Sequence, residues 1–205
     1  MKLRTFIILL SISLLICCNE NKSANKPEDY LKVLNQKESE SQKSSDETPG
    51  KLISTIDFEV KAKQEDLKIF EDGKIPWISI ENPESEIGDL FNADEIVIKE
   101  PSIEINIDYP LNKPFKFKLQ NPNGFTRRQL ALEISKKYKE MYAEEESTAK
   151  TKTIPMNERK GIINRNETDG KFGIWGHDIQ DLDLGSIEVY RNPSGNLELL
   201  LDIQS

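Results

Sequence analysis

The chain has 205 residues, with 36 acidic against 28 basic side chains and a formal net charge of −8. An acidic chain lacks the basic face that nucleic-acid phosphates require, so no nucleic-acid role is expected. Its length is sufficient for one domain with a hydrophobic core of its own.

The first residues have the pattern of an export signal. Lys2 and Arg4 precede an apolar run, Phe6–Ile16, that is too short to span a bilayer as a mature helix. The run ends at Cys17 and Cys18, and the chain then becomes polar. Two other interpretations stay open: an uncleaved membrane anchor, and a secretory signal cut by the ordinary peptidase. The Ala-x-Ala pattern of an ordinary signal is missing.

This segment resembles the signal of bacterial lipoproteins, in which an apolar residue lies three positions before the modified cysteine and a small residue directly before it. The resemblance implies that residues 1–17 are a signal peptide and that Cys18 carries the lipid, palmitate included. Leu15 and Cys17 then hold the two preceding positions, whereas choosing Cys17 would put Ile16 in the small-residue position. The expected location is the bacterial cell envelope, lipid-anchored at the membrane, on the periplasmic or outer surface. The expected partner, besides the membrane, is an envelope or surface protein.

Residues 18–50 are rich in Lys, Glu, Ser, Asn and Gln. Such a composition buries too little apolar surface to offset the entropy lost on ordering, so it predicts a lipidated, disordered polar tether. The short apolar cluster at 30–34 predicts at most a transient helical turn over 29–36.

Residues 51–205 are predicted to form a single α+β domain, a largely antiparallel sheet with one long helix packed on it. Strands precede and follow the helix, and no βαβ alternation is visible. Glu100-Pro101 separates two strand-like runs that are predicted to form a hairpin, and Pro76 predicts an edge strand or a bulge. The last run is apolar enough for a central strand. The predicted strands cover 52–60, 74–80, 95–99, 102–109, 115–119, 186–190 and 197–203.

The helix has the best-defined start in the chain. Thr126 and Gln129 form the Thr-x-x-Gln pattern of a capping box, and apolar residues then recur at helical spacing from Leu130. The acidic run 144–146 is unfavourable near a helix C-terminus, so the last turn is expected to fray. The polar stretch 147–171 is long for a connection and is expected to be a mobile or functional surface loop.

Residues 172–184 contain the candidate site: the only histidine, His177, with Asp178, Asp181 and Asp183. His177 beside carboxylates can act as a base or a metal ligand, and the aspartates can hold calcium in an irregular loop. The alternative is a structural corner, with His177 bonded to backbone and an aspartate capping a turn. A zinc site needs about three protein ligands, and no second histidine is present. No cofactor is expected, and the sequence does not decide whether a metal binds.

Three segments, at 75–83, 124–128 and 173–178 (Gly-Ile-Trp-Gly-His-Asp), resemble those of uncharacterised bacterial proteins. The similarity covers most of residues 70–203 and implies one domain, with no activity attached.

The sequence therefore favours a non-enzymatic binding or structural module at the cell envelope. The alternative is an extracytoplasmic enzyme, with or without a metal ion, that uses the candidate site. A catalytic His177 is expected to line an open cleft with at least two carboxylates aimed at a common point. A structural His177 is expected to be packed, with its ring nitrogens bonded to backbone or to a turn carboxylate.

Overall fold

The computed structural model describes residues 27–44, 48–160 and 164–205. The predicted signal peptide and the lipidation site Cys18 lie outside these residues. The helices are α1 (Pro27–Ser44) and α2 (Arg127–Thr148). The strands are β1 (Lys51–Asp57), β2 (Val60–Lys61), β3 (Lys74–Ile75), β4 (Ile78–Ser79), β5 (Ile96–Ile98), β6 (Ser102–Ile107), β7 (Phe115–Gln120), β8 (Phe125–Thr126), β9 (Asp183–Arg191) and β10 (Leu197–Gln204).

The main sheet has the strand order β1-β9-β10-β6-β7, and β4 pairs with β9. Its neighbouring strands are antiparallel except for the parallel pair β10 and β6. The predicted fold class, α+β with a largely antiparallel sheet and one long helix, is confirmed. The strongly apolar β10 lies in the middle of the sheet, as its composition predicts.

The core lies between this sheet and α2. On β6 the alternate residues Ile103, Ile105 and Ile107 are buried, and on α2 Leu130 and Tyr138 are fully buried in the same hydrophobic cluster. The predicted capping box is present at the helix start. The backbone N–H of Gln129 donates to Thr126 Oγ1 at 3.2 Å, and the backbone N–H of Thr126 donates to Gln129 Oε1 at 3.0 Å.

Some of the predicted strands differ from those of the structure. The hairpin expected around Glu100-Pro101 is wrong, because β5 pairs with β8 rather than with β6. Strand β6 is an interior strand with β10 on one side and β7 on the other, so it has no free edge for β5. The run 74–80 is divided into β3 and β4, with Pro76 between them.

The prediction of a disordered tether over residues 18–50 is wrong for residues 27–44, which form α1. Leu34 is only 9% exposed, and Tyr30 and Leu31 pack half-buried against the core. A polar segment of this composition is disordered in isolation, but its short apolar stripe becomes buried when a domain surface is available. Among the described residues, no helix is long and apolar enough to cross a membrane.

Candidate functional site

The loop that leads into the candidate site is organised by Glu145 near the end of α2. Glu145 is fully buried, and its carboxylate accepts hydrogen bonds from the Thr168 hydroxyl at 2.7 Å and from the backbone N–H of Gly170 at 2.8 Å. The backbone N–H groups of Phe172 and Gly173 add bonds of 2.8 and 3.1 Å. A Cβ on Gly170 would lie 2.7 Å from this carboxyl group, so glycine permits the close approach.

These hydrogen bonds also favour the ionised form of the Glu145 carboxyl group. Burial alone would raise the pKa of this carboxyl group, but the Thr168 hydroxyl and the three backbone N–H donors outweigh burial and lower it. The fraying expected for the last turn of α2 is therefore wrong. The helix continues to Thr148 because Glu145 holds the loop that follows.

The segment 173–178, which follows the loop bound by Glu145, is held by backbone hydrogen bonds to two other parts of the chain. The N–H of Trp175 donates to Pro110 O at 3.2 Å, and the N–H of Arg165 donates to Gly176 O at 2.9 Å. Trp175 is 3% exposed and meets the Tyr109 ring edge-on at 5.2 Å. The segment therefore has a fixed shape, as its glycines and aromatics predict.

His177 is packed at the end of this segment, with 8% of its surface exposed. Its Nε2 lies 3.0 Å from Glu38 Oε1 of α1, and its Nδ1 lies 3.5 Å from the Asn164 side-chain nitrogen. This geometry fits an Nε2–H that donates to Glu38. The hydroxyl of Tyr109 donates to the same Glu38 oxygen at 2.9 Å. The histidine therefore bonds a helix carboxylate, rather than the backbone or turn carboxylate expected of a structural role.

Asp178 points to a different set of partners. Arg159 binds its carboxylate with two bonds, of 2.6 and 3.1 Å, and Arg165 Nη1 lies 3.5 Å away. The side chains of Arg159 and Arg165 are 6% and 7% exposed. Asp178 therefore pairs with the buried Arg159 guanidinium and lies beside that of Arg165, so its carboxylate is engaged in holding the loop that carries them.

Asp181 and Asp183 contact neither the partners of His177 nor the guanidinium groups beside Asp178 in the hydrogen bonds and ion pairs of the described residues. Asp181 Oδ2 accepts a bond of 2.9 Å from the backbone N–H of Asp178, which is a local turn contact. Asp183 begins β9 opposite Ser79 of β4. Burial, followed by the neighbouring carboxylate of Glu86, raises the pKa of Asp183 to about 6.

The four predicted site residues thus have four different surroundings and do not aim at a common point. No group of three or more His, Cys, Asp and Glu side chains in the described part of the chain is arranged to hold a metal ion. The residues adjacent in sequence are brought to one region, but their side chains diverge.

A concave surface lies beside His177. A cavity of about 640 Å³ has Ser186 and Glu188 of β9 and Asp202 of β10 as its floor. A second cavity of about 290 Å³ shares Ser186, Asp202 and Gln204 with the first. We call the two together the acidic groove. Its walls include Glu38, Asp108, Tyr109 and His177 at one end and Asp57, Glu59 and Trp77 at the other.

The charged side chains that line the acidic groove are predominantly acidic. None of the described residues that line it is a lysine or an arginine. Glu59 is paired with Lys74 at 2.7 Å, whereas Asp57, Asp108, Glu188 and Asp202 form no ion pair with any described residue. Burial raises the pKa of Asp108. The groove therefore concentrates negative potential on one sheet face.

Sequence reasoning missed the groove, although part of its signal was present. Ser186 and Glu188 alternate with buried residues along β9, so their common sheet face follows from strand periodicity. Leu200 and Asp202 lie opposite Glu188 and Ser186 on β10, and their spacing of two residues places them on the same face. Glu38 gave no such signal, because it lies in a polar stretch. Comparison with protein families, with curated proteins and with solved structures finds no match to this chain.

Proposed function

We propose that this protein is a lipid-anchored, extracytoplasmic binding module of the bacterial cell envelope, without catalytic activity, that holds a cationic partner segment in the acidic groove. The anchor is supported by the N-terminal sequence: a cationic start, a short apolar run and Cys18 at its end. The binding role is supported by the groove, and one observation carries it: Asp108, Glu188 and Asp202, which pair with no lysine or arginine among the described residues, line a cavity of about 640 Å³.

Charge complementarity defines the partner's chemistry. Lysine or arginine side chains entering the groove would meet Asp202 and Glu188 on its floor and Asp108 on its wall. Trp77 at the far end offers an aromatic face, which favours ammonium and guanidinium groups. Such contacts give specificity and fast association that weaken as salt is added.

The enzymatic alternative has no comparable support. A hydrolytic arrangement needs a base and its partners aimed at one reacting atom. Asp178 is instead bound by Arg159, and Asp183 lies beside Glu86. We therefore do not propose a reaction for the candidate site.

The anchor is tested by metabolic labelling. Labelled palmitate should enter the wild-type chain in bacterial cells and should not enter Cys18→Ser, because the thiol that accepts the lipid is then missing. Equal labelling of both forms would contradict the anchor at Cys18.

Binding is tested with the full chain in detergent micelles and a fluorescent octapeptide of alternating lysine and serine. Asp202→Asn should weaken binding about fivefold, because Asp202 lies in both cavities of the groove and one partly exposed charge pair contributes up to about 1 kcal/mol. Raising the salt from 50 to 500 mM should weaken binding further.

The matched control is Glu104→Gln, which removes the same charge from β6 outside the groove, where Glu104 is 3.7 Å from Lys118. The control should bind the lysine peptide like the wild type. A wild-type chain that binds an octapeptide of alternating glutamate and serine equally well would refute the cationic partner.

A further inference from the structure

Helix α1 connects the N-terminal segment to the folded domain, and its apolar contacts with the domain are few. Leu34 is its one buried apolar side chain among those described, with Tyr30 and Leu31 half-buried beside it. By contrast, α2 buries five apolar side chains: Leu130, Ala131, Ile134, Tyr138 and Met141. Segments with few buried apolar contacts open at a lower free-energy cost than the core.

The side chain of Leu34 packs against the backbone at Gly176. Gly176 has a φ of +71°, and a Cβ at this position would lie 3.0 Å from Leu34 Cδ2. The missing side chain therefore makes room for Leu34. The hydroxyl of Tyr30 donates to the Arg165 carbonyl one turn earlier. This end of α1 is fitted to the domain, although over a small area.

The next turn of α1 is held by polar contacts. Lys37 Nζ donates to Glu167 at 2.8 Å and to Asn112 at 2.6 Å, and Glu38 receives the bonds from Tyr109 and His177. The side chains of Glu38 and Glu167 are 35% and 38% exposed. Ion pairs at this exposure exchange readily for water, so they orient α1 more than they hold it.

We infer that α1 is a releasable strap that couples the reach of the anchored domain to the shape of the acidic groove. This inference rests on the proposed lipid anchor and groove. With α1 docked, residues 19–26 alone separate Cys18 from the helix and span at most about 30 Å. With α1 released, residues 19–50 become the connection and span at most about 115 Å.

The same release changes the groove. Glu38 is the residue of α1 that lines the larger cavity, where it meets Tyr109 and His177. Undocking α1 removes this carboxylate from the wall and uncovers the two rings. A partner that binds the groove with Glu38 in place therefore stabilises the docked strap and keeps the domain close to the membrane, by population shift between the two states.

Hydrogen exchange on the full chain in detergent tests the strap itself. Backbone amides of α1 should exchange at least about a hundredfold faster than those of α2, because α1 opens without global unfolding. Leu34→Asp should abolish protection in α1 and leave protection in α2 unchanged. The matched control is Val33→Asp on the outer side of α1, where the side chain is 39% exposed, and it should keep the wild-type pattern.

Energy transfer on lipid vesicles tests the reach. A donor dye on Ser194→Cys, at the exposed β9–β10 turn, should transfer less energy to labelled headgroups when Leu34→Asp is also present. Chains that attach to vesicles with equal transfer in both forms would overturn the strap. Chains that fail to attach would overturn the anchor instead, while the exchange experiment still decides whether α1 opens. Equal protection of α1 and α2 in the wild type would also overturn the strap.

Discussion

A buried carboxylate is tolerated in a protein only when donors replace the water that it loses. Glu145 meets this condition with four donors, three of which are backbone N–H groups from the loop at 170–173. The carboxylate thereby replaces the hydrogen bonds that a regular element would supply to those groups. One side chain at the end of α2 thus fixes the start of the segment that places Trp175 and His177.

Glu145→Gln should lower the free energy of unfolding by about 3 kcal/mol or more, because an amide presents N–H groups to donors and loses the charge that strengthens the remaining bonds. Denaturant unfolding at neutral pH measures the change. Glu144→Gln is the matched control. Glu144 is 45% exposed and pairs with Lys171 at 2.7 Å, so its loss should cost less than about 1 kcal/mol. Similar losses for the two variants would contradict the role of Glu145.

At the scale of secondary structure, what the sequence predicted correctly depended on local patterns. The Thr126–Gln129 capping box and the apolar stripe of α2 involve residues close in sequence, and both are confirmed. The strand alternation of β6 and β7 was likewise readable, because side chains on a strand alternate between faces. The fold class followed from the order of such elements.

The errors concern contacts between residues distant in sequence. Helix α1 owes its docking to Gly176 and Arg165, more than a hundred residues later, and nothing within residues 27–44 indicates that surface. Strand β5 pairs with β8 because β6 is occupied on both edges, which requires the whole sheet order.

In the candidate site too, local features were predictable from the sequence and contacts with distant residues were not. Its position beside the aromatic segment was predictable from the sequence. The partners of His177 and Asp178, which are Glu38 and Arg159, were not, because they come from other elements.

At the scale of the whole molecule, two carboxylates give the stability opposite dependences on pH. The lowered pKa of Glu145 means that the unfolded chain binds its proton more tightly than the folded one, so stability is lost as pH falls below about 4.5. The raised pKa of Asp183, about 6 against an ordinary 3.8, means that the folded chain binds that proton more tightly. Stability is then lost as pH rises from about 4 through 6. Asp108, whose pKa is also raised by burial, acts in the same direction as Asp183.

The free energy of unfolding should therefore pass through a maximum near pH 4 and decline towards pH 7. Denaturant titrations from pH 3 to pH 8 measure the curve. Asp183→Asn should remove most of the decline above pH 4 and stabilise the protein at pH 7 by about 2 kcal/mol, since one pKa unit corresponds to about 1.4 kcal/mol and the site is partly solvated. Asp89→Asn, at an exposed position, is the matched control and should leave the curve unchanged. If the decline were the same size in Asp183→Asn and in the wild type, Asp183 would be charged in the folded protein at no cost in stability. The inference that burial and Glu86 raise the pKa of Asp183 would then be wrong.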